Sequence, residues 1–312
     1  MHLLIFADTA APTKAFDRNS VLEGAQIMHY ASSADDKWHM VAGLKRAASG
    51  PAGALQLYSS ERGASQALNA PVGCFACITP EGRSDPANLF AFVLVKDGEG
   101  PKLNIIEVGR AKDAPGAAFR LSDITLPAAA DAAGDFPTAM QASNSQGLLY
   151  IFTRMGYVFV FDIQSGAAVF RAKAADAPIF AAAPHEGSGG VLALTAKTGT
   201  LLLTTLDNSN VVNYVSNTLR KPDLAMSLAG RLGLGGADEL YKQNFNSKLA
   251  SGDVVGAAQL AAKSSGDVLR NADTIARLQS MPAEAGKQPP IMQYFAALMK
   301  AGKLNKAESV AL

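Results

Sequence analysis

Three short stretches of this chain carry residue types whose spacing suggests chemistry. Cys74-Phe75-Ala76-Cys77 has the CxxC spacing of a zinc or dithiol site. These are the two cysteines of the chain, so no second thiolate pair exists to complete a tetrahedral zinc site. The stretch also reads as a strand, where positions i and i+3 point to opposite faces, and the reading is structural. Gly233, Gly235 and Gly236 suggest a phosphate loop, but no apolar strand leads into them and no Lys-Ser/Thr follows. They fit better as the turn before a helix that begins at Ala237. His185-Glu186 could be a metal pair or a base, yet the four histidines are scattered at positions 2, 29, 39 and 185, with no HExxH helix and no GxSxG elbow. Nothing assembles a nucleophile, a base and an oxyanion hole. The expectation is no catalytic residue, no metal and no cofactor.

Composition narrows the class further. With 312 residues and 48% apolar content the chain can bury a sizeable core in one large or two moderate domains. Its 28 basic and 27 acidic residues nearly cancel, so there is no charge footprint for nucleic acid or an anionic membrane. The apolar runs, such as 148–152 and 201–203, are far shorter than the roughly 18–20 residues of a membrane span. MHLLIFADTAA lacks a basic region before its apolar burst and reads as a strand rather than a signal peptide. Two cysteines without such a signal point to a reducing cytosolic compartment.

Two dialects divide the sequence near Ser216–Pro222, into residues 1–216 and 217–312. The first is built of short alternating or apolar runs punctuated by Gly, Pro, Asp and Ser; the second is Ala-rich with helical spacing. Leu149–Val160 and Leu192–Leu203 align at an offset of 43 residues (149 to 192), each reading strand, basic residue in a Gly-closed turn, strand. That period suits one four-stranded propeller blade. Weaker copies lie at Trp38–Tyr58 and Leu89–Glu107. The count is about four blades plus an incomplete strand pair at Leu3–Phe6.

The second part predicts helices over 223–232, 238–250, 254–263, 273–280, 291–301 and 306–310. Asp223, Asp253 and Asp273 stand at N-caps or in first turns, and Gly252 and Gly302 close helices. Ala250–Ala261 also repeats at Lys300–Ala311, with Gly252/Gly302, Val254/Leu304 and Ala257/Ala307 in register. This is the signature of an α-helical zigzag, or α-solenoid, in which helix pairs stack on one another.

QYFAALMKAGKLNKAESVAL (293–312), with KPDLAMSLAGRL (221–232), GGADELYKQNFNSKLASGD (235–253) and LRNADTIARLQSMPAEAGKQPP (269–290), resembles the clathrin heavy chain family in unbroken order. FDRNSVLEGAQI (16–27), GALQLYSSER (53–62), IIEVG (105–109), DFPTAMQ (135–141) and APHEG (183–187) extend the resemblance to roughly residues 14–312. It implies a partial terminal-domain propeller, an incomplete β-propeller of about four to five blades of a seven-bladed fold with an exposed strand edge expected near residues 1–30, followed by the linker and the first leg helices. It implies a structural role in coated pits and coated vesicles, on the cytoplasmic face of the plasma membrane and trans-Golgi network. The implied partners are adaptor and accessory proteins bound through short linear motifs; light chain and the heavy-chain trimer belong to the intact family member. Trp38, Leu57, Arg62 and Gln66 match a peptide groove between two middle blades, where Trp and Leu take apolar anchors, Arg62 pairs with ligand acids and Gln66 bonds main chain. Ala64 departs from a larger aliphatic residue there. Gln26, Met28 and Leu44 match part of a second peptide site at the mouth of the central channel. A free-standing propeller that binds regulatory peptides would share the fold but not the 293–312 signature.

Overall fold

The computed structural model describes residues 2–5, 13–47, 50–81, 83–95, 99–111, 113–114, 116–127, 134–234, 237–264, 268–282 and 288–300. Gly235, Gly236, Gly302, the predicted helix at 306–310 and nearly all of the 300–311 repeat lie outside these residues. The chain forms two units, residues 1–205 and 206–312.

The first unit is all β. Strands β1 (His2–Ile5) and β2 (Thr13–Asp17) pair with each other in a two-stranded sheet. Four further sheets follow, each an antiparallel meander. They are β3 (Gln26–Ser32), β4 (Trp38–Ala47), β5 (Gly50–Ser59) and β6 (Ala64–Leu68); then β7 (Val72–Ile78), β8 (Ala87–Leu94), β9 (Lys102–Glu107) and β10 (Arg120–Thr125). The third holds β11 (Pro137–Ser143), β12 (Leu148–Thr153), β13 (Tyr157–Asp162) and β14 (Ala168–Lys173). The fourth has three strands, β15 (Ile179–His185), β16 (Gly190–Thr195) and β17 (Leu201–Thr204). The arrangement is a four-bladed β-propeller array, with the predicted Gly-closed turns at Gly156 and Gly199, both at positive φ.

The first strand of each sheet lies innermost. β7 packs on β11 and β11 on β15, while His29 of β3, Val72 of β7, Met140 of β11 and Phe180 of β15 line one axial cavity of about 10 Å³. Strands in the middle of the array are buried on both faces; β12 and β13 show no exposed residue, which is why they read as continuous apolar runs. One core joins the second and third sheets through Leu89, Ile105, Ile151 and Phe159; another joins the first and second through Met40, Leu57, Phe90 and Val108.

The two ends of the array differ. The first sheet's outward face is covered by residues 16–22: Phe16 stacks on Tyr58 at 4.4 Å, Leu22 is 1% exposed, and the buried Gln56 side chain donates to the Asp17 carbonyl at 2.8 Å and accepts from the Asn19 N–H at 2.6 Å. These residues cover the sheet's face and not a strand edge: among the described residues β1 and β2 pair only with each other. The bare face is on the fourth sheet, where Leu201 and Leu203 are 61% and 51% exposed.

The second unit is helical: α1 (Val211–Asn213), continued by a π turn at Tyr214–Thr218, then α2 (Pro222–Leu232), α3 (Ala237–Ala250), α4 (Val254–Lys263), α5 (Ala272–Gln279) and α6 (Pro290–Lys300). The second unit begins at Leu206, before the predicted boundary at 216, because the turns over Val211–Thr218 are too short to show a helical period. Asp253 caps α4, accepting from the Gly256 N–H at 2.9 Å, and Asp223 and Asp273 lie in first turns. Gly233 ends α2 at φ +62°, a left-handed cap that glycine supplies without strain. Fully buried Ala257, Ala258 and Ala261 let α4 lie close to its neighbours.

Candidate peptide-binding site

Trp38, Leu57, Arg62 and Gln66 come together on the face of the first sheet that looks toward the second. Register explains it: Met40, Leu57 and Gln66 form one cross-strand row over β4, β5 and β6, and Trp38, Ser59 and Ala64 form the same-face row two residues on. Arg62 sits in the turn between β5 and β6 and holds its guanidinium 5.8 Å from the centre of the Trp38 ring, within cation–π range. Leu57 is 2% exposed and forms the floor, whereas Arg62, Ala64 and Gln66 are exposed. The small Ala64 leaves the outer end of the Trp38 row open.

Polar contacts fix the Trp38 backbone. The Trp38 main-chain N–H donates to Ser33 Oγ at 3.0 Å, Ser33 Oγ donates to Asp35 Oδ1 at 2.6 Å, and Asn88 Nδ2 of the second sheet donates to Asp35 Oδ2 at 3.0 Å. Gly109, at φ +74°, brings its backbone against the ring; a Cβ there would meet Trp38 Nε1 at 3.1 Å. Trp38 Nε1 is itself buried and has no acceptor among the described residues.

Gln26 and Leu44 are direct cross-strand partners in β3 and β4. Met28 is the extra residue of the bulge between Ile27 and His29, 36% exposed, and belongs to neither register. Gln26 is exposed and Leu44 half-buried. This group lies toward the opposite end of β4 from Trp38.

Other candidates have structural surroundings. Cys74 and Cys77 are free thiols within β7; Cys74 is buried, and burial pushes its thiol up to about 12, which suppresses the thiolate. His185 ends β15 and shares a hydrogen bond with Ser188 Oγ at 2.8 Å, a polar corner of the turn into β16. No group of three or more metal-ligating side chains occurs among the described residues.

One cluster was not anticipated. Glu107, with its side chain 4% exposed, accepts from Arg83 Nη1 at 2.9 Å, Arg110 Nη1 at 3.1 Å and the Phe119 N–H at 2.8 Å. Burial opposes ionisation, but the Phe119 N–H and the two guanidiniums outweigh it and hold the carboxyl below its ordinary value. The network braces the chain on either side of Gly109, and so the wall behind Trp38. Its one sequence signal is a lone acid in the apolar strand Ile105-Ile106-Glu107.

Residues 209–231 match the family described as clathrin, heavy-chain linker, and residues 233–298 match Clathrin-H-link. Probable clathrin heavy chain 1 of Caenorhabditis elegans is 38% identical over 303 residues, covering 97% of this chain. The chain is a clathrin heavy chain homologue. Clathrin heavy chain 2 of Homo sapiens and the clathrin heavy chain of Drosophila melanogaster are each 37% identical over 303 residues, covering 96% of this chain. The homologue spans 18% of the length of each of these three relatives. No helix among its described residues is long and apolar enough to cross a membrane.

Proposed function

We propose that this homologue is a structural, non-catalytic piece of a clathrin-type coat whose first sheet holds short adaptor peptides at Trp38. The observation that carries the site is the buried, unpartnered Trp38 Nε1 beside an exposed arginine and an apolar floor. An extended peptide could supply a carbonyl to the indole, a leucine to the space beside Ala64 and an acid to Arg62. Such a contact is small, about −5 to −6 kcal/mol, and many copies on a lattice convert it into avidity. The coat role, the adaptor and accessory partners and the location on the cytoplasmic face of coated pits and vesicles rest on the homology; light chain and trimer contacts belong to the intact relatives. Gln26, Met28 and Leu44 are proposed as part of a second peptide site.

Trp38 is the chain's one tryptophan, so its fluorescence reports this site. An acidic peptide with two or three spaced leucines should quench or shift its emission with a Kd in the high micromolar range. Arg62→Glu should weaken binding, and Cys74→Ser should leave it unchanged. Constant emission through saturating peptide, without chemical-shift changes at Leu57 or Gln66, overturns the assignment.

A further inference from the structure

Glu107 is the last residue of β9, and the chain leaves it directly into Val108, Gly109 and Arg110. It is tied to Phe119 in both directions: the Glu107 N–H donates to the Phe119 carbonyl at 2.9 Å, and the Phe119 N–H donates to Glu107 Oε2 at 2.8 Å. Arg83 Nη1 reaches both carboxylate oxygens at 2.9 Å, while its Nη2 donates to Asp85 Oδ2 at 2.6 Å. Arg110 Nη1 donates to Glu107 Oε1 at 3.1 Å, and its Nη2 donates to the Gly116 carbonyl at 3.3 Å. One buried carboxylate thus ties together the turn into β8, the exit from β9 and the entry to β10.

The segment anchored in this way reaches Trp38 along two routes. Gly109 lies against the ring, where a Cβ would stand 3.1 Å from Nε1 and 3.8 Å from Cδ1. The Val108 N–H donates to the Asn88 carbonyl at 2.9 Å, and the Asn88 side chain starts the Asp35–Ser33 relay that ends on the Trp38 main-chain N–H. The first route touches the ring and the second holds the backbone that carries it. A glutamine at 107 keeps the shape of the side chain but turns an NH2 toward guanidiniums that carry only donors, so at least one anchor is lost. It also leaves Arg83 and Arg110, whose side chains are 19% and 12% exposed, without their common counter-charge.

We infer that Glu107 is a positioning residue for the peptide site: through Gly109 it holds the Trp38 indole in the orientation that a ligand meets. This rests on the reading of Trp38 as a peptide-binding residue. Glu107 touches no ligand and acts through the segment that follows it.

Nuclear magnetic resonance of the free chain and titration with the acidic, leucine-bearing peptide test this together. Glu107→Gln should move the Trp38 indole N–H resonance in the absence of peptide and raise the Kd roughly three- to tenfold, with the resonances of β16 and β17 in place. Gly109→Ala puts a Cβ against the same edge of the ring and should do likewise. Because both changes act through one contact, the double variant should raise the Kd no further than the larger single change. Asp85→Asn alters only the exposed outer partner of Arg83 and should leave both readings as in the wild type. An indole resonance that Glu107→Gln leaves in place overturns the inference. So does a moved resonance with unchanged affinity, and so does a double variant whose losses multiply. If Glu107→Gln fails to fold, Arg110→Gln, which leaves Arg83 and the Phe119 N–H on the carboxylate, is read by the same criteria. A wild type that binds no peptide overturns the peptide reading itself; the resonance of the free chain needs no ligand and then decides alone whether Glu107 positions the ring.

Discussion

The first and fourth sheets are both antiparallel meanders, of four and three strands, yet their outward faces are treated in opposite ways. On the first, Phe16, Leu22 and the Gln56 clamp cover His39 and Tyr58; on the fourth, Leu201 and Leu203 stand in solvent. The difference teaches that a blade's apolar rows do not by themselves say whether a neighbour covers them. Covering the first face takes only a short segment because its polar atoms are answered locally: Gln56 Nε2 also donates to Ser65 Oγ at 2.8 Å, so the buried amide spends its donors and its acceptor within the fold. The fourth face offers aliphatic side chains, which any apolar surface could cover, and among the described residues Leu201 and Leu203 stay exposed.

The contrast is broken most directly at its covered end. Leu22 is 1% exposed and packs with β4 and β5, so Leu22→Ala should destabilise the β unit by about 2–4 kcal/mol. Denaturant unfolding at low protein concentration measures it. A cost under about 1 kcal/mol would show that residues 16–22 lie on the sheet without helping to hold it.

Much of this architecture was legible in the sequence. The 43-residue offset between Leu149 and Leu192 found two sheets, because each is a strand pair closed by a glycine at positive φ, here Gly156 and Gly199. Helices α2 to α6 were legible within one residue at each end, since the apolar period and the caps agree locally. The Gln56 clamp was not, because its partners at Asp17 and Asn19 are 39 and 37 residues away and nothing in GALQLYSSER marks the glutamine as buried. Glu107 was hidden for the same reason: its arginines arrive from Arg83, 24 residues back, and Arg110. The grouping of Trp38 with Leu57, Arg62 and Gln66 came from the resemblance, and only the register shows why those four share a face.

Acid provides a second, smaller separation of the two ends. His39 lies beneath Phe16 and Tyr30 at the covered face, and burial lowers its pKa, against a smaller opposing pull from Asp36; burial alone lowers that of His29 in the axial cavity. A folded-state pKa below the unfolded value favours the neutral imidazole. Both histidines therefore contribute stability above the unfolded value of about 6.5, and that contribution drains away as pH falls below it. Amide exchange in β3 and β4 should quicken between about pH 6.5 and 5 while β16 and β17 hold steady; equal acceleration at both ends would place the acid-labile groups elsewhere.

The smallest expected effect is at the bare face. Leu201→Ala and Leu203→Ala each trim a side chain that is more than half in water, so little burial is lost and no cavity forms. Each should change unfolding stability by no more than about 0.5 kcal/mol, several-fold less than Leu22→Ala at the other end. The comparison turns on this ratio rather than on either value. If Leu203→Ala costs as much as Leu22→Ala, the fourth face is covered within a single molecule in solution, and the asymmetry between the two ends does not survive.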